Sequence, residues 1–125
     1  MKFSQRPILF FRLSFILILA MIFYLATTDV GPSLLQNTND KVQHLLAFGA
    51  LAFLADFSFP KQSFNREKFF SLVAIGILIE FIQSYLPYRE ASFFDILADT
   101  LGIAIYAFFY RQLKHLPILE KRWRT

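Results

Sequence analysis

The 125-residue sequence contains no cysteine, and that absence removes several kinds of chemistry from consideration. Without thiols, the chain forms no disulfide, builds no thiolate zinc site and uses no cysteine nucleophile. The sequence also lacks internal repeats and low-complexity segments. At this length, a single domain covering residues 1–125 is predicted.

Apolar residues are abundant instead. They make up 56% of the chain, against about 45–50% in ordinary soluble domains. Seventeen of the residues are phenylalanine, more large rings than a soluble core of this size can bury. The excess indicates surfaces that face lipid, and the sequence therefore predicts a membrane protein.

Four apolar runs stand out, covering residues 13–28, 42–59, 69–86 and 93–110. Runs of this length cross a bilayer as helices, because lipid offers no partner to unpaired backbone groups. The first run could instead be a secretory signal, but residues 26–31 contain no convincing small-residue cleavage site. The predicted fold is an all-α membrane bundle of four transmembrane helices.

The order of the basic residues predicts the orientation of this bundle. If four helices alternate in direction, eleven of the thirteen Lys and Arg residues fall on one side, and only Lys41 and Arg89 fall on the other. The positive-inside rule then places both termini in the cytoplasm. The basic tail after Tyr110 carries no nucleic-acid-binding motif, so no nucleic acid partner is predicted.

Charged residues inside such segments need an explanation, because each costs at least about 2.5–3.5 kcal/mol on insertion scales. On the second predicted helix, Asp40, just before the apolar run, and His44 are four residues apart and share a helix face at the outer end. In the fourth run, Asp95 and Asp99 share a face in the same way. Both pairs are therefore predicted to lie in the outer half of the membrane.

The third run and the loop after it add further polar groups at a similar depth. Glu80 and Gln83 lie near the outer end of the third run, and the short loop that follows contains Arg89 and Ser92. Because that loop is short, the third and fourth helices are predicted to be antiparallel neighbours. The predicted ligand-binding residues of one shallow outer pocket are Asp40, His44, Glu80, Gln83, Arg89, Ser92, Asp95 and Asp99.

A purely structural interpretation stays open for this set, because its members could pair with one another and only lock the helices together. Arg89 could pair with Asp95 or Glu80, and Asp40 with Lys41 or His44. Two other acids, Asp56 and Glu67, lie toward the inner side and are predicted to be interfacial.

The polar residues fall in segments that resemble the VanZ-like family. The resemblance rests on DKVQHLLAF at 40–48, EFIQ at 80–83, REASFFD at 89–95 and ADTLG at 98–102, and covers about residues 40–104. It implies a multi-pass protein of the bacterial inner membrane, in a cell-envelope family named after a member associated with teicoplanin resistance. The family's molecular activity is not established, and resistance itself is not transferred to this chain.

Three functions remain open. In the first, the outer pocket binds the headgroup of a membrane lipid or of a lipid-linked envelope precursor, with Arg89, His44 and Lys41 meeting phosphate. In the second, the chain is an enzyme acting on such a lipid, with catalytic candidates among His44, Asp40, Glu80 and Asp99.

In the third, the function is coupled to protons or to a metal. No resident cofactor is predicted, but one imidazole among several carboxylates suits a divalent metal such as zinc, manganese or magnesium. The candidate ligands are His44, Asp40, Glu80, Asp95 and Asp99. The residues leave the oligomeric state and the question of catalysis open.

Overall fold

The computed structural model describes residues 3–28, 40–88 and 91–123, of which 80% are helical, with no strand among them. The all-α class is therefore confirmed. There are four long helices and one short one in this part of the chain: α1 (Gln5–Thr27), α2 (Asp40–Ser58), α3 (Arg66–Gln83), α4 (Phe93–Leu113) and α5 (Pro117–Lys121).

The four long helices alternate in direction, as their contacts at the two ends demonstrate. Near one end, Arg12 of α1 reaches the carbonyl of Ser58 at the end of α2, and Lys68 at the start of α3 reaches Asp56. Near the other, Glu80 of α3 contacts Ser92 at the start of α4. We call the first the basic end and the second the acidic end.

Two of the helices, α1 and α4, are long and apolar enough to cross a membrane by length and composition. Little of either apolar stretch is buried within the protein, only 6% for α1 and 22% for α4. The core helix of a soluble protein would be mostly buried. These two helices therefore indicate a membrane protein. Helices α2 and α3 are not apolar enough to meet the same criteria, so four membrane spans stay a prediction.

The helices begin and end close to the predicted runs, with one large difference. Helix α1 begins at Gln5, eight residues before the predicted start at residue 13, and therefore includes Arg6 and Arg12. Pro7 is compatible with this, because proline is tolerated in the first turn of a helix. Side chains of α1, including Phe15 and Ile22, pack against the core, so α1 is an integral part of the fold.

Helix α2 is the central element, contacting α1, α3 and most extensively α4. Its crossing with α4 is very close at Gly102, where an added Cβ would lie 2.2 Å from the carbonyl oxygen of Leu45. Only glycine permits such backbone contact, as at small-residue crossings of membrane helices. Buried residues around the crossing, such as Phe48 and Ile103, fill the core.

A network of charged and hydroxyl groups holds the basic end together around Asp56, which is fully buried. Its carboxylate pairs with Lys68 Nζ and Arg122 Nη1, each at 2.7 Å, and accepts a hydrogen bond from the hydroxyl of Tyr106 at 2.6 Å. Four elements of the chain therefore meet at one side chain. We call Asp56, Lys68, Tyr106 and Arg122 the basic-end network.

Basic side chains also donate to carbonyl groups at the end of α2 and in the residues that follow it. Lys68 Nζ donates to the carbonyls of Phe59 and Gln62 at 2.9 and 2.7 Å, and Arg12 donates to that of Ser58 at 2.9 Å. Basic side chains at a helix C-terminus also oppose its negative dipole end.

Asp56 was expected to be interfacial; it lies near the end of α2 but is fully buried within the protein, because residues after α4 fold back over it. Arg122 reaches Asp56 from beyond the end of α5, and the indole of Trp123 donates to the carbonyl of Phe57 at 3.2 Å. Glu67, by contrast, is exposed at the start of α3.

Replacing Gly102 should disturb the α2–α4 crossing. We expect Gly102→Ala to lower the free energy of unfolding by about 1–3 kcal/mol, because its methyl group overlaps the Leu45 carbonyl. Thermal unfolding in detergent would measure the loss. Gly49→Ala is the matched control, since its Cβ would make only ordinary contact at 3.5 Å; equal stability of the two variants would contradict the crossing.

Removing the charge of Asp56 should destabilise the protein more strongly. Asp56→Asn keeps the shape of the side chain but leaves Lys68 and Arg122 without their counter-charge, and losing one partner of a buried pair costs about 3–5 kcal/mol. Unfolding of detergent-solubilised protein would report the change. Glu67→Gln, a neutralised acid at the exposed start of α3, should unfold like the wild type.

Candidate functional site

The first two turns of α2 and α4 bring five charged or titratable side chains together at the acidic end. They form what we call the acidic-end cluster: Asp40, Lys41, His44, Asp95 and Asp99. The close crossing at Gly102 is what places them side by side, because Asp99 lies three residues before Gly102 and His44 lies next to Leu45.

His44 lies at the centre of the cluster and its two ring nitrogens face different carboxylates. Nδ1 is 2.7 Å from Asp99 Oδ1, whereas Nε2 lies 3.8 Å from both Asp40 Oδ1 and Asp95 Oδ2. An ionised carboxylate can only accept, so Nδ1 donates toward Asp99 when Asp99 is ionised. The arrangement orients the ring and directs Nε2 toward Asp40 and Asp95.

Lys41 neutralises part of this acidity. Its ammonium group contacts Asp95 directly and lies 3.6 Å from Asp40 Oδ2. Asp95 is almost completely buried, while the side chain of Asp40 is 62% exposed. Asp40 is therefore the carboxylate of the cluster that a ligand reaches first.

Asp99 is packed against α3 as well as against His44. A Cβ at Gly76 would lie 2.8 Å from Asp99 Oδ2, so α3 has room for this carboxylate only because residue 76 is glycine. Sequence reasoning missed Gly76, although a glycine four residues before Glu80 in an apolar run was a usable signal. The Oδ2 atom itself is buried and has no hydrogen-bond partner.

The two predicted residues Glu80 and Ser92 contact each other rather than His44. Glu80 Oε2 accepts a hydrogen bond from the backbone N–H of Ser92 at 3.0 Å. The hydroxyl oxygen of Ser92 accepts from the N–H of Phe94 at 3.1 Å and so caps α4. This gives Ser92 a structural role at the start of the helix.

Gln83 faces α1. Its side-chain amide donates to the carbonyl of Ala26 at 2.9 Å, which leaves its oxygen as a buried acceptor without a partner. The last of the predicted residues, Arg89, lies outside the described part of the chain.

A cavity of about 300 Å³ opens beside the cluster, between α1, α2 and α3. Its polar wall contains Asp40, Gln43, His44 and Gln83. The rest of the wall is apolar and consists of Ile22, Leu25, Ala26, Leu46, Ala47, Phe48 and Ile79. Three of the eight predicted site residues, Asp40, His44 and Gln83, therefore share one cavity.

The cluster also offers ligand atoms for a cation. One atom each from Asp40, His44 and Asp95 lies within 4.8 Å of the others, and Asp99 supports the imidazole from behind, as carboxylates do for metal-bound histidines. The donor set suits a divalent metal. However, Lys41 already provides a positive charge to Asp95, so a metal ion would have to displace its ammonium group.

Comparison with known proteins identifies relatives. The chain matches the VanZ/LLP1 family over residues 9–115, which confirms the resemblance found in the motifs. It is 33% identical, over 111 residues and 86% of its length, to the uncharacterized protein C11E3.10 of the yeast Schizosaccharomyces pombe. The chain spans 65% of that protein's length. No solved structure matches.

The contact between His44 and Asp99 predicts which nitrogen of the imidazole carries hydrogen. When His44 is neutral, we expect the proton on Nδ1, because the Asp99 carboxylate can only accept. Nitrogen-15 NMR of histidine-labelled protein would identify the tautomer, with His115→Gln used to remove the second histidine signal. Asp99→Ala should shift the population toward the Nε2 tautomer; a wild-type protein already in that form would contradict the geometry.

Proposed function

Since the chain belongs to the VanZ/LLP1 family and carries two apolar helices that are little buried, we propose that it is a multi-pass membrane protein that binds the headgroup of a lipid at its acidic end. The headgroup is one that carries a primary ammonium group, as in an aminophospholipid or in a lipid-linked envelope precursor with an amino group.

The observation that carries the proposal is the cavity between α1, α2 and α3. One wall presents Asp40, His44 and Gln83, and the other is lined by residues such as Ile22 and Leu46. A site with a polar and an apolar part suits a molecule that is itself amphiphilic. A lipid with its headgroup toward Asp40 meets this requirement.

The atoms without partners support an ammonium group in particular. Gln83 Oε1 is buried, lacks a hydrogen-bond donor and belongs to the cavity wall, and the exposed Asp40 carboxylate lies in the same wall. Both are acceptors, and an ammonium group supplies three donors and a positive charge. A phosphate group alone would supply neither.

Recognition of an ammonium group gives Lys41 and His44 different roles from those that the sequence suggested. The sequence suggested that Lys41 and His44 meet phosphate, but Lys41 contacts Asp95 and His44 contacts Asp99. We therefore expect hydrogen-bond acceptors to recognise the ammonium group, and the lipid phosphate to lie at the mouth of the cavity.

The charge distribution supports an orientation. Basic residues such as Arg12, Lys61 and Arg111 lie toward one end, and the positive-inside rule assigns that end to the cytoplasm. The acidic end and its cavity then face outward from the bacterial inner membrane. This orientation makes the outer leaflet the source of the lipid.

The relative from yeast supports an aminophospholipid over a precursor confined to bacterial wall synthesis. A family with members in a yeast is most simply explained by a ligand that fungal and bacterial membranes share. Both candidates offer the same primary ammonium group.

A second candidate is an enzyme that acts on the bound lipid. The contact between His44 and Asp99 at 2.7 Å favours it, because a buried carboxylate that orients a histidine is typical of general acid–base catalysis. Release of lipid fragments by the purified protein, lost in His44→Ala, would favour this function. Elemental analysis of the same material would test the metal-dependent alternative built on Asp40, His44 and Asp95.

Binding should be measured on the full chain in detergent by native mass spectrometry, comparing phosphatidylethanolamine with phosphatidylcholine. The two lipids carry the same net charge, but only the first has N–H donors. We expect phosphatidylethanolamine to bind about tenfold more tightly, the effect of about one satisfied hydrogen bond to a buried acceptor. Equal binding of the two lipids would overturn the proposal.

The preference should depend on Gln83. Gln83→Leu removes the acceptor and is expected to abolish the difference between the two lipids, whereas Gln112→Leu, a matched change at an exposed position of α4, should preserve it. Mass spectrometry of lipid extracted from protein purified from native membranes then distinguishes an aminophospholipid from a lipid-linked precursor.

A further inference from the structure

A second and larger cavity lies at the opposite end of the molecule. It has a volume of about 630 Å³ and runs between α1 and α3 at the basic end. The acidic-end cluster contributes no residue to it. The proposed headgroup site does not account for this cavity, which we call the basic-end groove.

The groove is polar at one extremity and apolar at the other. Lys61, Lys68 and Arg12 lie toward the end of the molecule, where α3 begins. Further along the same two helices, the walls are Phe15, Leu72 and Ile75. Moving one turn along a helix advances about 5.4 Å, so the apolar part extends toward the middle of the protein.

The charges in the groove have one predominant sign. Three basic residues line it against a single acid, Glu67. Lys68 is paired with Asp56, but within the described ranges neither Arg12 nor Lys61 forms an ion pair. Arg12 donates only its Nε to the Ser58 carbonyl, and its guanidinium lies 5.0 Å from the centre of the Phe59 ring. Its positive charge therefore has no carboxylate to oppose it there.

The surface beside the groove is apolar. Leu9, Leu13 and Ile16 of α1 are each about 60% exposed next to the groove-lining residues of the same helix. Lipid chains that cover this surface have direct access to the groove. Basic pockets between membrane helices on the cytoplasmic side are known to hold anionic lipid headgroups.

We propose that the basic-end groove binds one anionic phospholipid, with its headgroup phosphate between Arg12 and Lys61 and an acyl chain along Phe15, Leu72 and Ile75. The site differs from the proposed headgroup site in position and in charge preference. Its chemistry is phosphate recognition by cations, whereas the acidic end recognises an ammonium group.

The test compares phosphatidylglycerol with phosphatidylcholine on the full chain by native mass spectrometry. We expect phosphatidylglycerol to bind more tightly and Lys61→Gln to lower its affinity about fivefold, the effect of one basic residue near an anionic headgroup. Phosphatidylcholine binding should not change. Arg12→Gln should also lower the affinity for phosphatidylglycerol. Because this variant also loses the hydrogen bond from Arg12 to Ser58, Lys61→Gln is the variant whose effect does not depend on that contact.

Matched variants separate a specific groove from general attraction to a basic protein. Lys114→Gln and Arg111→Gln remove exposed charges from the same end but outside the groove, and both should leave phosphatidylglycerol affinity unchanged. Gln83→Leu at the acidic end should also leave it unchanged, so this proposal and the proposed function can fail independently. The proposal is overturned if the two lipids bind equally or if Lys61→Gln and Lys114→Gln behave alike.

Discussion

The contact between Gly102 and the Leu45 carbonyl is the constraint on which the acidic end depends. With no side chain at residue 102, α2 and α4 approach to backbone contact, and the residues one turn away are brought within hydrogen-bond distance. His44 and Asp99 meet for this reason. A wider crossing would separate the imidazole from its carboxylate and leave the buried Asp99 without this hydrogen bond, at a cost of about 1–3 kcal/mol.

Ion pairs hold helix α2 at both ends. At its start α2 supplies the cation of the pair, and at its end it supplies the carboxylate. At its start, Lys41 contacts the buried Asp95 of α4; at its end, the buried Asp56 receives Lys68 and Arg122. Each set of ion pairs joins α2 to other parts of the chain. Apolar packing alone would allow these parts to slide or rotate against α2. Polar pairs between membrane helices fix such registers because few other arrangements satisfy them.

The four apolar runs were enough to predict the four long helices, and helical periodicity was enough to predict the residues that share a face, such as Asp40 with His44 and Asp95 with Asp99. It could not predict how the helices are rotated against one another. Gln83 does share a cavity with Asp40 and His44, but its amide bonds to α1 through Ala26, a contact that periodicity could not predict. The burial of Asp56 was unpredictable for a related reason, because it depends on Arg122, sixty-six residues away, folding back after α5.

The unpaired atoms at the acidic end have a consequence for the kind of ligand that fits. In the described part of the chain, the buried side-chain atoms without hydrogen bonds are three oxygens, of Glu80, Gln83 and Asp99. All three are acceptors, so the missing partner must donate. An anion would add acceptors where acceptors are already in excess. The cations that would attract an anion lie at the basic end. The proposed preference of the acidic end therefore rests on buried acceptors that its own side chains do not satisfy, and that of the basic end on the exposed cations Arg12 and Lys61.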